Sequence, residues 1–224
     1  MGREVALEIL RRGGKVAGVD LNGEWLAQTA EMAGATSSNF STHTVNIADR
    51  DAVAALPSQV IAKHGTVDSL VNVAGIIQPF VRVNDLDMAS IDRVMSVNFF
   101  GVLNLVKAFL PELLKRDEAH ILNVSSMGSY APVPGQTIYG ASKAAINLLS
   151  EGLRSELKET RVAVTVVYPG AIGTNIAANS GLKMDMEAAG DRKMKVVAPK
   201  DAGRLMVDAI EKGSKRIYIG SDAT

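Results

Sequence analysis

The stretch 123–145, NVSSMGSYAPVPGQTIYGASKAA, decides how this chain is read. It starts at the end of an apolar, β-branched run at 120–125 (HILNVS), crosses a segment of glycine and proline, and enters a helical segment expected at 139–158. A run this short, apolar at nearly every position, is expected for a strand covered on both faces. Ser126 follows that strand, and strand ends of an open α/β sheet face the ligand crevice. Tyr139 and Lys143 are four residues apart, so on a helix they share one face. An ammonium beside a phenol favours the phenolate, so Lys143 is expected to lower the Tyr139 pKa toward the range of a general base. A Tyr-x-x-x-Lys pair alone is weak, since most such pairs are a half-buried tyrosine beside a solvated lysine.

The same rhythm runs outward in both directions. Short β-branched runs fall at 15–20 (KVAGVD), 42–47 (THTVNI), 69–74 (SLVNVA), 163–168 (AVTVVY) and 216–219 (RIYI). Helical segments are expected between them at 4–12, 23–33, 49–64, 88–115 and 200–212. Gly13-Gly14 and Gly34 stand where helix C-caps belong, and Asp49 is a candidate N-cap. Right-handed crossovers turn this alternation into a Rossmann-like α/β fold, a doubly wound parallel sheet with helices on both faces. With no repeat and no Pro/Ser-rich linker, residues 1–224 read as one domain.

Composition narrows the function. The 224 residues carry 24 Lys+Arg against 24 Asp+Glu and contain no cysteine. Zero net charge argues against a nucleic-acid binder, which needs a basic excess. Without cysteine there is no disulfide, thiol nucleophile or Cys-ligated zinc, and the three histidines, His43, His64 and His120, have no ligand spacing, so no metal site is expected. No apolar run approaches the roughly 20 residues that span a bilayer, and MGREVALEILRRGG lacks a signal-peptide pattern. A cytoplasmic protein without membrane or nucleic-acid partners is expected.

Several motifs then occur in one order. Ser126, Tyr139 and Lys143 are joined by Asn72-Val73-Ala74-Gly75, by Asn98 in Val97-Asn98-Phe99-Phe100-Gly101, and by Pro169-Gly170 with Thr174. In this the chain resembles the short-chain dehydrogenase/reductase family over nearly its whole length. Val73 stands where the family has a second asparagine, and Asn46-Ile47 where it has Asp-Val or Asp-Leu.

The resemblance implies an NAD(H)-dependent oxidoreductase that interconverts a secondary alcohol and a ketone, or a 3-oxoacyl-type carbonyl. Tyr139 would exchange the proton, Lys143 would hold the ribose hydroxyls and tune Tyr139, and Ser126 would hydrogen-bond the reacting oxygen. Asn98 would kink its helix and hold a water linking Lys143 to solvent. Cofactor contacts would come from Gly2, Asp20, Asn46, Ile47, Asn72, Ala74, Gly75, Tyr139, Lys143, Pro169, Gly170, Ile172 and Thr174. Asp20 would accept the ribose hydroxyls and repel a 2′-phosphate, favouring NAD over NADP, with Arg3 as the residue that tempers this. The segment 175–197, with Met184, Met186 and Met194, corresponds to a substrate-binding flap, although such methionines equally suit surface helices. The resemblance also implies a homodimer or homotetramer formed through the helices at 88–115 and 139–158, which carry apolar residues beyond one buried face.

One irregularity stands at the start. A dinucleotide-binding sheet opens with a strand and a glycine-rich turn, whereas this sequence opens inside the helix that would follow them. Gly2 reads either as the last glycine of such a turn, with Asp20 eighteen positions on, or as an ordinary residue after Met1. The first strand is therefore expected to be missing. A second functional reading stays open beside the first: a cofactor-poor homologue serving as scaffold or interaction protein, or an incomplete fragment of an active enzyme.

Overall fold

The computed structural model describes residues 1–34, 38–182, 196–221 and 223. In chain order the elements are α1 (Gly2–Arg11), β1 (Val16–Asp20), α2 (Gly23–Met32), β2 (Phe40–Thr44), α3 (Arg50–Ala54), α4 (Leu56–His64), β3 (Ser69–Asn72), α5 (Met88–Met95), α6 (Val102–Leu113), β4 (Ala119–Val124), α7 (Thr137–Glu156), β5 (Val162–Pro169), α8 (Ile176–Asn179), α9 (Pro199–Glu211) and β6 (Arg216–Ile219). All six expected strands are present and every strand pair is parallel. Part of the expected flap, including Met184, Met186, Gly190 and Met194, lies outside the described residues.

The strands form a four-stranded sheet in the order β3-β4-β5-β6 and a two-stranded sheet, β1-β2. Among the described residues no ladder joins β1 to β3. In β4 every residue is buried, whereas all five residues of β1 are half-buried.

Helices cover both faces. Ile121 and Leu122 are neighbours in β4, each fully buried, yet they belong to different cores because successive side chains of a strand point to opposite faces. Ile121 packs with Val164, Phe109, Leu113 and Ile146 on the side of α6 and α7. Leu122 packs with Val167, Val5 and Met206 on the side of α1 and α9. This two-sided burial is why the strands read as continuous apolar runs. On the second side, α1 and α9 approach closely at Gly203, where an added Cβ would lie 2.8 Å from the Glu4 backbone carbon. Arg12 bridges the same two helices to Asp208 and Glu211.

Several boundaries differ from expectation for identifiable reasons. Strand β2 starts at Phe40, two residues early, because the Phe40 ring packs under Gly18 beside Leu26, and its shift leaves Asn46 and Ile47 beyond the strand. The helix expected at 49–64 is broken at Ala55, near Pro57, which has no N–H to give the Val53 carbonyl. Asp49 caps α3 as expected, accepting from Asp51 and Ala52. Gly13 and Gly34 follow α1 and α2 with φ of 82° and 55°, the left-handed conformation that ends a helix.

The helix expected at 88–115 runs from Met88 to Leu113 as one rod, but a π-helical turn at Ser96–Gly101 separates α5 from α6. Over 18 residues its mean hydropathy reaches 1.5, apolar enough in composition for a membrane span, so the sequence-based exclusion was too simple. The rod nevertheless carries the fully buried Asn98 and packs into the core through Val102, Leu105, Val106, Phe109 and Leu113, the pattern of a core helix.

Candidate active site

The polar residues singled out in the sequence sit just beyond strand ends. Asp20 closes β1, Asn72 closes β3 with Ala74 and Gly75 in the loop after it, Ser126 follows β4, and Pro169 closes β5 with Gly170, Ile172 and Thr174 beyond. Gly2 begins α1, where an added Cβ would lie 3.7 Å from that of Val73. Carbonyl ends of parallel strands and the N–H ends of the helices after them make this side of such a sheet the place where ligands are held.

Ser126, Tyr139 and Lys143 are brought together. Ser126 caps a short 3-10 turn, accepting from the Gly128 N–H at 3.0 Å, and its Oγ and the Tyr139 ring both border Gly128, where an added Cβ would lie 3.4 and 3.6 Å from them. Lys143 lies one turn along α7, only 3% exposed, with its Nζ 6.0 Å from the Tyr139 ring centre. That nitrogen donates to the Val124 carbonyl at 3.0 Å. Ser125 Oγ donates to the Lys143 carbonyl at 2.8 Å, which pins α7 to the end of β4.

Burial, not charge, dominates the titration of this group. Desolvation lowers the Lys143 pKa to about 8. Desolvation also pushes the Tyr139 phenol above its ordinary value, and Ser126 only partly offsets it. The expectation that Lys143 lowers Tyr139 is therefore corrected. The ammonium is directed at a backbone carbonyl rather than at the phenol oxygen, and a phenolate in this setting loses more hydration than the neighbouring groups return.

Asn98 is fully buried in the π turn. Its Oδ1 accepts from the Ile76 N–H at 2.8 Å, and its Nδ2 donates to the Ile76 carbonyl at 2.9 Å and to Ser142 Oγ at 3.0 Å. Ser142 lies between Tyr139 and Lys143 and donates in turn to the Tyr139 carbonyl. The helix holds a π turn here, and the side chain acts as a clamp on the loop after β3. That loop carries Gly75, where an added Cβ would stand 3.0 Å from Lys143 Nζ and 3.4 Å from Asn98 Oδ1.

The remaining expected contacts are more dispersed. Asp20 is half-buried and accepts from the Asn22 N–H at 2.9 Å. Exposed Asn46 accepts from Ala48, while Ile47 is a core residue against Gly101 whose carbonyl accepts from Asn104. Asn72 donates to Asn123 at 2.8 Å, and its own Oδ1 is buried without a partner. Gly170 is held to Ile219, and Ile172 bridges Val197. Arg3 is engaged with Thr29 and Gln28 of α2. A cleft of about 240 Å³ lined by Gly128, Gly140 and Ala144 opens along α7.

Two functional neighbours had no signal in the sequence. Ser142 is hidden by its commonness, and Gln78, in an irregular loop, has no spacing to mark it. Gln78 is 1% exposed, and its Oε1 accepts from the backbone N–H groups of Ile138 and Tyr139 at 2.8 and 3.0 Å.

Known proteins share both this sequence and this architecture. The family model for short chain dehydrogenase matches residues 1–185. The chain belongs to the short-chain dehydrogenase family. It is an oxidoreductase of that family, whose members bind nicotinamide cofactors. It is 34% identical over 230 residues to SadH of Mycobacterium tuberculosis, covering 100% of this chain and 83% of the relative. Among solved structures, a short-chain dehydrogenase/reductase from Burkholderia phymatum in complex with NAD has a TM-score of 0.81 at 24% identity, covering 91% of this chain and 79% of its own. A metagenomic short-chain oxidoreductase in complex with NADP has a TM-score of 0.79 at 24% identity, covering 97% and 90%. Both share the Rossmann-like fold of this short-chain dehydrogenase.

The buried lysine gives a pH signature independent of turnover. Between its folded pKa of about 8 and the ordinary 10.5, the unfolded chain holds a proton that the folded chain has released. Stability therefore rises with pH across this window, by about 3 kcal/mol in total. In chemical denaturation, Lys143→Met is expected to remove this rise from the wild-type profile; a rise that persists in the variant would refute the assignment.

Proposed function

We propose that this short-chain dehydrogenase is an NAD(H)-dependent oxidoreductase interconverting a secondary alcohol with a ketone or 3-oxoacyl-type carbonyl. The observation that carries the reading is the convergence of Ser126 Oγ and the Tyr139 ring on Gly128, with the buried ammonium of Lys143 one helical turn away.

The residues present suit a nicotinamide dinucleotide. Lys143 Nζ has three N–H donors and gives one to Val124, leaving donors for ribose hydroxyls. Gly75 keeps the space beside that nitrogen open, since a Cβ would intrude on it. When bound, the cofactor supplies or accepts the hydride.

Within the chain, Tyr139 moves the proton. Its phenol, held above the ordinary value, is protonated at neutral pH, which suits donation to a carbonyl oxygen and hence the reductive direction. Ser126 Oγ hydrogen-bonds the same oxygen and steadies charge as it develops. Lys143 and the π turn around Asn98, whose backbone leaves the regular helical ladder, form the route by which a water returns the proton from solvent.

Asp20 favours NAD. One carboxylate oxygen accepts from Asn22 and the other is left for ribose hydroxyls, while the negative charge repels a 2′-phosphate. Arg3, the nearby cation that would favour NADP, is committed to Thr29 and Gln28.

Among the described residues no ladder joins β1 to β3, which favours the second reading, a cofactor-poor homologue serving as scaffold or interaction protein. Titrating NADH by fluorescence separates the two, since the enzyme reading requires saturable binding.

A homo-oligomer is also proposed. Leu148 on α7 is 74% exposed and Phe100 in the π turn 40%, apolar surface suited to a second copy. Light scattering at the monomer mass of 23.7 kDa would overturn this.

Tyr139→Phe is expected to lower turnover by about 10²–10⁴-fold while leaving NADH affinity unchanged, because the lysine that holds ribose is intact. Retained turnover would refute the role of Tyr139. Comparison of kcat/KM for NADH and NADPH tests Asp20, and a preference for NADPH would contradict it.

A further inference from the structure

We propose that Gln78 is a positioning residue for the reaction, a remote N-cap that fixes the first turn of α7 and with it Tyr139. This rests on the reading of Tyr139 as the proton carrier.

The first N–H groups of any α-helix have no partner within the helix, and a side chain at the N-cap position ordinarily accepts from the second or third of them. In α7 the N-cap residue is Gln136, whose side chain makes no cap bond. The role passes to a residue about 60 positions earlier. Gln78 Oε1 accepts from both Ile138 and Tyr139, the second and third helical residues, at 2.8 and 3.0 Å. Two N–H groups directed at one atom require that atom to be the oxygen, so the orientation of the amide is settled by its partners.

The cap is built into a strap. Ile76 is held at both backbone groups by Asn98, and the Ile77 N–H donates to Ser180 Oγ at 2.9 Å. The Gln78 carbonyl accepts from Gln136 Nε2 at 2.7 Å. Gly135, with φ of 79°, brings its backbone against Phe80, where a Cβ would lie 3.2 Å from the carbonyl carbon. The loop after β3 is therefore tied to the π turn, to α8 and to α7 within three residues, with Gln78 as the member that touches Tyr139.

The arrangement has a cost that marks its purpose. Gln78 Nε2 and Gln136 Oε1 are both buried without partners. An apolar side chain of similar size would fill the space without an orphaned donor, so space filling does not account for the amide. What it adds is the pair of hydrogen bonds to the turn that carries the phenol.

Two substitutions separate positioning from bulk stability. Gln78→Met keeps the volume and removes the acceptor, whereas Gln78→Glu keeps an acceptor and adds a negative charge beside the Tyr139 N–H. With Gln78→Met, exchange of the Ile138 and Tyr139 amides is expected to accelerate while that of β4 and β5 amides is unchanged. The Tyr139 phenol, isolated by ultraviolet difference titration against Tyr139→Phe, should titrate lower as its turn gains solvent. With Gln78→Glu, amide protection should be regained and the phenol should titrate higher, because the added carboxylate disfavours the phenolate.

A merely structural glutamine would not move the phenol in opposite directions in the two variants. Unchanged amide exchange and an unchanged phenol titration in both would overturn the proposal. If the wild type turns over a carbonyl substrate with NADH, Gln78→Met should lower kcat by about 10- to 100-fold with little change in the KM for NADH, and Gln78→Glu should recover most of the loss. Equal kcat in wild type and Gln78→Met would overturn the positioning role alone. Absence of NADH binding by wild type would defeat the proposed function, while amide exchange and titration would still decide the cap.

Discussion

The site depends on one side-chain amide, that of Asn98, occupying both backbone groups of Ile76. A loop running between a strand and a helix has backbone donors and acceptors with no ladder to join, and leaving them unpaired in a buried place costs free energy comparable to a lost hydrogen bond. Asn98 answers this as a neighbouring strand would, with one acceptor and one donor directed at the same residue. The clamp needs a carboxamide, which offers both functions side by side, and a π turn in the helix that carries it. Once Ile76 is held, Gly75 on one side lies over Lys143 and Gln78 on the other reaches α7. The second Nδ2 hydrogen goes to Ser142, so the clamp touches the helix of Tyr139 directly.

Given that frame, the electrostatics follow from desolvation. Lys143 is buried where the described residues offer it a backbone carbonyl but no carboxylate, and its pKa falls to about 8. Tyr139 moves the other way for the same reason, because burial penalises whichever form of a group is charged. Both groups therefore lean toward their neutral forms, a state prepared for a proton to be handed over rather than for a standing ion pair. The stability lost by burying the lysine near neutral pH is a local cost of function of the kind expected at active sites.

How far the sequence announced this can be judged residue by residue. The strands were legible because two-sided burial leaves an apolar run that periodicity alone detects, as at 120–125. Ser126, Tyr139 and Lys143 were picked out because a helical spacing and a strand end coincide with the pattern of the family the chain resembles. The shift of β2 was not, since Phe40 is recruited by a gap over Gly18 that only the packed structure contains. The π turn depends on how Asn98 meets a loop more than twenty residues earlier. The sign of the Tyr139 shift was misjudged because adjacency on a helix face does not say where an ammonium points. Gln78 was invisible, as a cap supplied from another segment has no local pattern.

Apolar packing alone would not hold such a site. Helix α7 covers the sheet through Ile146 and Leu153, and contacts of this kind tolerate small slides because dispersion and burial are non-directional. Directional bonds remove that freedom at three successive residues, the last two of β4 and the one after it. Asn123 donates to Ser150, Val124 accepts from Lys143 Nζ, and Ser125 donates to the Lys143 carbonyl. Asn72 extends the first of these across β3, so strand, strand and helix are linked by one row of buried amides and a hydroxyl. A slide of α7 by a fraction of an ångström would strain all of these bonds together. The polar residues inside this core thus set the position of Tyr139 relative to Ser126, a precision that the apolar core around them does not provide.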